Sequence, residues 1–354
     1  MGRPTFHRLR VARVERLCAD AVAVTFDVPD ELADVFAFRA GQYLTLRQDV
    51  EGTEERRSYS ICARAGTAPR IGVRRVEGGL FSAALVDSLS PGDELEVLPP
   101  LGKFTPTLDG PAHHCMIAAG SGITPVLSIV STVLASDSDS RVTLLYGNRR
   151  TDTVMFAEEL ADLKDVYRAR LQLVHVLSQE PRDVELFSGR LDAERLSILL
   201  SSIVPASDVD HWWLCGPYGM VQAAEQVLAD RGVPADRIHH ELFYVDEPPP
   251  APKRVDESHV DGPVAEVTVV LDGKQTTLTL PADTPILDAA QRVRSDLPFA
   301  CKGGVCGTCR AKVTAGTVEM RRNYALEPHE LAAGFALTCQ ALPLTDKVTV
   351  DYDA

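Results

Sequence analysis

The 354-residue chain has little of what marks a nucleic-acid or membrane protein. It has no Lys/Arg-rich run and a formal charge of −14, which argues against polyanions and anionic bilayers as partners. Its first residues, MGRPTFHRLRVARV, lack an apolar h-region and a small-residue cleavage site, so no signal peptide is expected. Phe6 breaks the myristoylation pattern. One uncharged stretch, Cys115 to Ala135, approaches spanning length, but GSGITP interrupts it. A buried strand, a glycine loop and a buried helix are expected there instead. No internal repeat is present, and there are no paired Glu-x-x-His helices to hold two irons. Eight cysteines in a long chain without an export signal point to metal or redox chemistry rather than disulfides, and to the reducing cytoplasm.

What is present falls into three pieces. Residues 1–107 are rich in short apolar runs (AVAVTFDV, YLTLR, YSICA, IGVRRV, ELEVL) separated by Gly, Pro and Asp turns, the spacing of an antiparallel barrel. Residues 108–246 alternate strands (HCMIAAG, RVTLLYG, LQLVHVLS, HWWLCG) with helical segments, which predicts an α/β domain with a parallel sheet. Residues 247–263 are proline-rich and aperiodic and read as a stiff linker. Residues 264–354 open with a hairpin around Asp272-Gly273, followed by a helix with Pro285 in its first turn and a cysteine loop, as a small α+β domain.

That loop, CKGGVCGTC, gives Cys301, Cys306 and Cys309 in C-x4-C-x2-C spacing, with Cys339 on FALTCQA as a fourth thiol. This is the plant-type ligand arrangement of a [2Fe–2S] ferredoxin. Gly303, Gly304 and Gly307 let the backbone wrap tightly and aim N–H groups at sulfur. Structural zinc usually takes two C-x2-C pairs, and here the second is missing. Such a cluster passes one electron at a time, whereas nicotinamide cofactors give hydride. The upstream residues are therefore expected to hold a converter, and a flavin is the usual one.

RRSYS supplies Arg57 for a phosphate, Tyr59 for a flat ring and Ser60 for a small hydroxyl. EGGLFSAAL places Gly78, Gly79 and Ser82 at a helix start, suited to a pyrophosphate. A surface arginine and a plain N-cap are the ordinary alternatives; the two motifs together favour FAD. AAGSGITPV ends a strand and opens a helix, with Gly120 and Gly122 allowing close phosphate approach and Thr124-Pro125 starting the helix. After the next strand stand Arg149 and Arg150 where NAD enzymes carry an acid, which favours NADPH while leaving NADH possible. Cys215, with Gly216 and Pro217, lies at a strand end facing the ligand crevice, although a buried structural thiol is a common alternative.

In this order RSYS, GGLFS, GSGITP, CGP and CKGGVCGTC resemble the ferredoxin–NADP reductase superfamily, in its branch with a C-terminal plant-type ferredoxin domain. FHRLRVARVE, YGNRRTDTVMF, DLPFACKGGVCGTCRAKV and the tail from Tyr324 to Ala354 are similar to the reductase components of phenylacetyl-CoA epoxidases. The resemblance implies a Greek-key FAD-binding barrel, an NAD(P)-binding α/β domain and a β-grasp ferredoxin domain. It implies that Arg57, Tyr59, Ser60, Gly79 and Ser82 hold FAD. Gly120, Gly122, Thr124, Pro125, Arg149, Gly216 and Pro217 would serve the nicotinamide nucleotide, with Cys215 facing the nicotinamide. Glu241 and Phe243 of HHELF would close the flavin site, making Ser60, Cys215 and Glu241 the catalytic set. Cys301, Cys306, Cys309 and Cys339 match the cluster ligands, and Gly307 stands where relatives often have Ala. Arg150 matches no family contact. The implied partner is a di-iron oxygenase acting on phenylacetyl-CoA. Competing readings are a reductase for a Rieske-type hydroxylase, a redox-sensing interaction protein and a zinc module.

Overall fold

Antiparallel pairing builds the first sheet. Strands β1 (His7–Cys18), β2 (Ala21–Asp27), β3 (Tyr43–Val50), β4 (Thr53–Ser60), β5 (Arg70–Arg74) and β6 (Glu94–Val97) pair antiparallel in the order β4-β3-β6-β1-β2-β5. An Ile61↔Ile71 bridge links the two edges. This computed structural model describes residues 5–50, 53–243, 264–281, 283–294 and 296–354; the expected linker at 247–263 lies outside the described residues. The inward side chains, among them Leu9, Phe26, Leu44, Ile61, Ile71 and Leu95, form one core. Arg47 donates to both carboxylate oxygens of its cross-strand partner Glu96 at 2.9 Å, which fixes the β3–β6 register. Helix α1 (Leu80–Asp87) follows β5, with Gly79 at its N-cap.

A second sheet is wholly parallel. β7 (His113–Ala119), β8 (Arg141–Asn148), β9 (Leu171–Leu177), β10 (His211–Cys215) and β11 (Ile238–Glu241) lie in the order β11-β10-β7-β8-β9. Between them run α2 (Ile123–Ser136), α3 (Ala157–Val166), α4 (Ala193–Ser202) and α5 (Tyr218–Asp230). β7, β8 and β10 are near-continuous buried runs, as expected of strands covered on both faces. The uncharged stretch at 115–135 is thus the end of β7, a 3-10 turn at Gly120–Gly122, and α2. The two sheets share a core in which Phe104, from the loop after β6, meets Trp213 edge-on with ring centroids 5.1 Å apart.

The described residues gather into two compact units, Met1–Phe243 and Tyr244–Ala354. The second has its own core and a mixed sheet. It contains β12 (Val264–Leu271), β13 (Lys274–Pro281), β14 (Arg310–Ala315), β15 (Val318–Met320), β16 (Phe335–Leu337), β17 (Ala341–Pro343) and β18 (Lys347–Asp351), with helices α6 (Ile286–Ala290) and α7 (Pro328–Ala332). Five strands run in the order β13-β12-β18-β14-β16, and β15 pairs with β17. Asp272 and Gly273 both take positive φ, 52° and 67°, as the two-residue hairpin requires. One expectation needs correction. Pro285 is the N-cap of α6, with ψ 138°, rather than a first-turn residue, and α6 is five residues long. Among the described residues no helix is long and apolar enough to cross a membrane.

Candidate flavin, nicotinamide and cluster sites

The first site is assembled from strand ends. Ser60 closes β4 and is buried. Its hydroxyl donates to Glu241 Oε2 at 3.1 Å, across 181 positions of sequence. Glu241 closes β11 and pairs in register with Cys215, which closes β10. Cys215 in turn pairs with Ala118 on β7, one residue before the end of that strand. Three candidate catalytic residues therefore meet where the parallel strands end, the side on which open α/β sheets bind ligands. Burial pushes the Glu241 carboxyl up to about 8, with the Ser60 hydrogen bond opposing. Burial, reinforced by Glu241, holds the Cys215 thiol well above its ordinary value, so it is neutral at pH 7.

Beside them the β7–α2 connection approaches very closely. A Cβ on Gly122 would lie 2.1 Å from the Cys215 carbonyl oxygen and 2.9 Å from the Gly216 nitrogen, so no other residue fits without moving backbone. The Thr124 hydroxyl donates to Ser121 O, and the Tyr146 hydroxyl to Gly120 O, each at 3.0 Å. Pro125 is the third residue of α2, where a missing N–H costs nothing. Pro217 is the N-cap of α5. This cradle, shaped by Gly122 against Gly216, fits the backbone approach that a dinucleotide needs.

Arg57 and Tyr59 share one side of β4 by strand alternation. Arg57 is exposed and paired with Glu55 at 2.7 Å; Tyr59 stacks on Phe81 with centroids 6.2 Å apart. The Ser82 hydroxyl is engaged with its own loop, accepting from Val76 N at 3.0 Å and donating to Gly79 O at 3.2 Å. It shapes the helix start, and the backbone N–H groups beyond Gly79 are what that start offers an anion. At the end of β8 the two arginines separate. Arg150 is tied to Asp152 at 3.2 Å, whereas among the described residues the exposed Arg149 guanidinium has no hydrogen-bond or ion-pair partner. Phe243 is half-buried against the core of the parallel sheet. Sequence reasoning missed Arg74, whose guanidinium bonds Asp20 at 3.2 Å and lies 3.4 Å from where a Gly120 Cβ would stand; its only signal was a strand-end position in IGVRRV.

In the second unit the four thiols form two pairs. Cys301 and Cys306 hydrogen-bond each other, as do Cys309 and Cys339, and Cys306 lies within electrostatic reach of Cys309. The Cys306 thiol and the backbone N–H groups of Gly303, Val305 and Cys306 push Cys301 down to about 6, against burial. Two thiols per iron is the demand of a [2Fe–2S] cluster. Lys302 (φ 51°), Gly304 (φ 80°) and Gly307 (φ 69°) turn the loop. A Cβ on Gly304 would lie 3.2 Å from the Arg322 carbonyl oxygen. Gly303 N points at the Cys301 sulfur at 3.3 Å. Gln340 Nε2 reaches the Cys339 sulfur at 3.6 Å and the Lys302 carbonyl at 2.8 Å. The Thr308 hydroxyl is buried without a conventional partner and stands beside Cys306. N–H and O–H donors facing sulfur fit a group whose thiolates and sulfides carry negative charge. Thr308 and Gln340 were not foreseen, because neither type is a ligand and only adjacency to cysteine marks them.

Three domain models match successive parts of the chain. An oxidoreductase FAD-binding domain model matches residues 8–105, an oxidoreductase NAD-binding domain model residues 116–226, and a 2Fe-2S iron-sulfur cluster binding domain model residues 269–344. One component of the 1,2-phenylacetyl-CoA epoxidase from Escherichia coli (strain K12) is 46% identical over 99% of this chain and 98% of its own. The ferredoxin reductase component of 3-ketosteroid-9-alpha-monooxygenase from Rhodococcus rhodochrous is 37% identical over 97% of this chain and 96% of its own. Phthalate dioxygenase reductase, described as a modular structure for electron transfer from pyridine nucleotides to [2Fe-2S], superposes with a TM-score of 0.65 over 98% of both chains; at 23% identity it speaks for the fold. The chain belongs to the family of NAD(P)H-dependent flavin reductases that carry a [2Fe–2S] ferredoxin domain at the C-terminal end.

Proposed function

We propose that this chain is the NADPH-oxidising reductase of a cytoplasmic multicomponent oxygenase, and that its client is a di-iron epoxidase acting on phenylacetyl-CoA. We divide it into a FAD-binding barrel (1–107), an NAD(P)-binding domain (108–246) and a β-grasp ferredoxin domain (264–354). The observation that carries the reading is the Ser60–Glu241 hydrogen bond of 3.1 Å beside Cys215, at the mouth of the Gly122 cradle. When bound, the flavin would turn a two-electron hydride into single electrons of the kind a [2Fe–2S] cluster accepts.

The chain's own residues have separable tasks. Arg57 and Tyr59 would hold the flavin's phosphate and ring, and the backbone from Gly79 to Ser82 its pyrophosphate. Gly120, Gly122, Thr124, Pro125, Gly216 and Pro217 shape the bed of the nicotinamide nucleotide, and Arg149 meets its 2′-phosphate. Cys215, neutral and small, keeps a thiol rather than a charge against the nicotinamide. Glu241 is protonated at pH 7 and holds that proton beside Ser60, which orients it. Phe243 helps to exclude water. The paired thiols of Cys301 with Cys306 and of Cys309 with Cys339 would each take one iron.

The epoxidase reading is favoured by 46% identity to an epoxidase component against 37% to a steroid monooxygenase component, both nearly end to end. Anaerobic NADPH should bleach both flavin and cluster absorbance of the purified protein, and Arg149→Ala should raise KM for NADPH far more than for NADH. Reconstitution with each oxygenase decides the client: turnover with a Rieske partner alone would overturn the assignment.

A further inference from the structure

Four aromatic rings lie on one face of the parallel sheet, directly beneath the Cys215–Glu241 pair. By period-two alternation His211, Trp213 and Cys215 share one side of β10. His239 and Glu241 share the same side of β11, paired to Trp213 and Cys215, and His114 stands on that side of β7, paired to His211. The rings are in contact. His114 and His211 stack with centroids 5.3 Å apart, and Trp213 and His239 at 4.3 Å. His239 Nε2 faces His211 Nδ1 at 3.5 Å. Trp213 Nε1 donates to His114 Nδ1 at 3.2 Å, which requires that nitrogen to carry no proton.

β11 needs such a fastening. It is an edge strand of four residues, held by four register pairs to β10 alone, and its last residue is Glu241. We propose that the His114–His211–Trp213–His239 ladder is a positioning device that fastens β11, and with it Glu241 beside Ser60, and that releases them in acid. The proposal rests on the catalytic reading above.

The chemistry follows from the contacts. The ladder closes only with neutral rings, because three imidazoles at these spacings repel once more than one is charged, and protonation of His114 sets an N–H against the Trp213 N–H. Burial pushes His114 down to about 4; burial, then His211, lowers His239. The charged and titratable groups coupled electrostatically to the ladder are His113 and Asp210 for His114, and Asp236 and His240 for His239. Asp210 and Asp236 oppose the depression and the two histidines add to it; His240 is itself paired with Glu225 at 2.7 Å. Both shifted histidines have folded-state values below their unfolded ones. The stabilisation is complete above the ordinary histidine value of about 6.5 and is lost as pH falls toward 4.

The test uses the full holoprotein. Amide protection factors of residues 238–241 are measured by hydrogen exchange between pH 4.5 and 8, alongside NADPH-driven ferricyanide reduction. In the native chain protection at β11 falls at least tenfold below pH 6 while β8 stays protected, and the rate falls with it, more steeply than one proton allows. His239→Phe keeps a stacked ring and removes one titration: at pH 7.5 it works at the native rate, and its acid limb moves down by about one pH unit. His114→Gln, whose amide oxygen can still accept from Trp213 Nε1, removes the other shifted titration and moves the acid limb down independently. Identical acid limbs in the native chain and both variants, or uniform loss of protection across the sheet, would overturn the device. A chain that never oxidises NADPH fails the catalytic reading instead, and the exchange experiment still reports on the ladder.

Discussion

Replacing Glu241 by Gln should stabilise the flavin-free protein, and by more at higher pH. Glutamine has the same size and its oxygen still accepts the Ser60 hydrogen bond; only the ionisable proton is removed. In the unfolded chain the Glu241 carboxyl ionises near its ordinary 4.5, and in the folded chain near 8. Between those values the unfolded state has lost a proton that the folded state keeps, so the native chain loses about 1.4 kcal/mol of stability per pH unit. The full interval corresponds to about 5 kcal/mol, and the partial exposure of Glu241 brings the expectation to about 3 kcal/mol. The difference between variant and native chain should therefore be near zero at pH 4, grow through pH 6 and level off above pH 8. Urea unfolding followed by tryptophan fluorescence reads this directly, because both tryptophans, Trp212 and Trp213, lie in the first unit next to the site. A stability difference that is flat from pH 4 to 9 would show that Glu241 is not held protonated, and the proton-holding role proposed for it would fall.

Two substitutions test the remaining geometry. Gly122→Ala places a methyl group 2.1 Å from the Cys215 carbonyl, between two backbones that cannot both yield. It should cost about 2–3 kcal/mol on the same urea curve and abolish nicotinamide binding, and an unchanged midpoint would refute the close approach. Cys339→Ser removes one thiolate of the second pair. Cluster absorbance and cytochrome c reduction should be lost while ferricyanide reduction by NADPH continues, and a variant with an intact visible spectrum would exclude Cys339 as a ligand.

The cluster loop was legible because its information is local and chemical: three thiols and three glycines in nine positions leave few alternatives. The parallel sheet was legible too, since β7, β8 and β10 are apolar runs punctuated by glycine. β1 was not. HRLRVARVERLC alternates charged and apolar residues, but only Leu9 and Val11 are fully buried, and two register shifts break the period. The pairing of Ser60 with Glu241 spans 181 positions, and no periodicity encodes it. Only family resemblance flagged Glu241. The helix after Thr284 was overread because DTPILDAAQRVR has a helical apolar pattern, while Pro285 delays the first turn and the segment from Arg292 continues as turns. Ser82 was placed correctly at a helix start; that its hydroxyl is taken up by Val76 and Gly79 depends on loop geometry that no pattern states.

Register is the thread that joins the chemistry to the fold. Side chains on a strand alternate, so a one-residue slip of β11 against β10 would turn Glu241 away from Ser60 and His239 away from Trp213 together. Long strands resist slippage through many pairs. β11 has four, and no further strand of the sheet supports its outer edge among the described residues. The side chains that fix its register must therefore sit within those four residues. His239 is the one whose ring stacks on the neighbouring strand, two positions before the carboxyl that has to be placed. If Glu241 has the role proposed for it, the placement of its proton comes down to the stacking of His239 on Trp213.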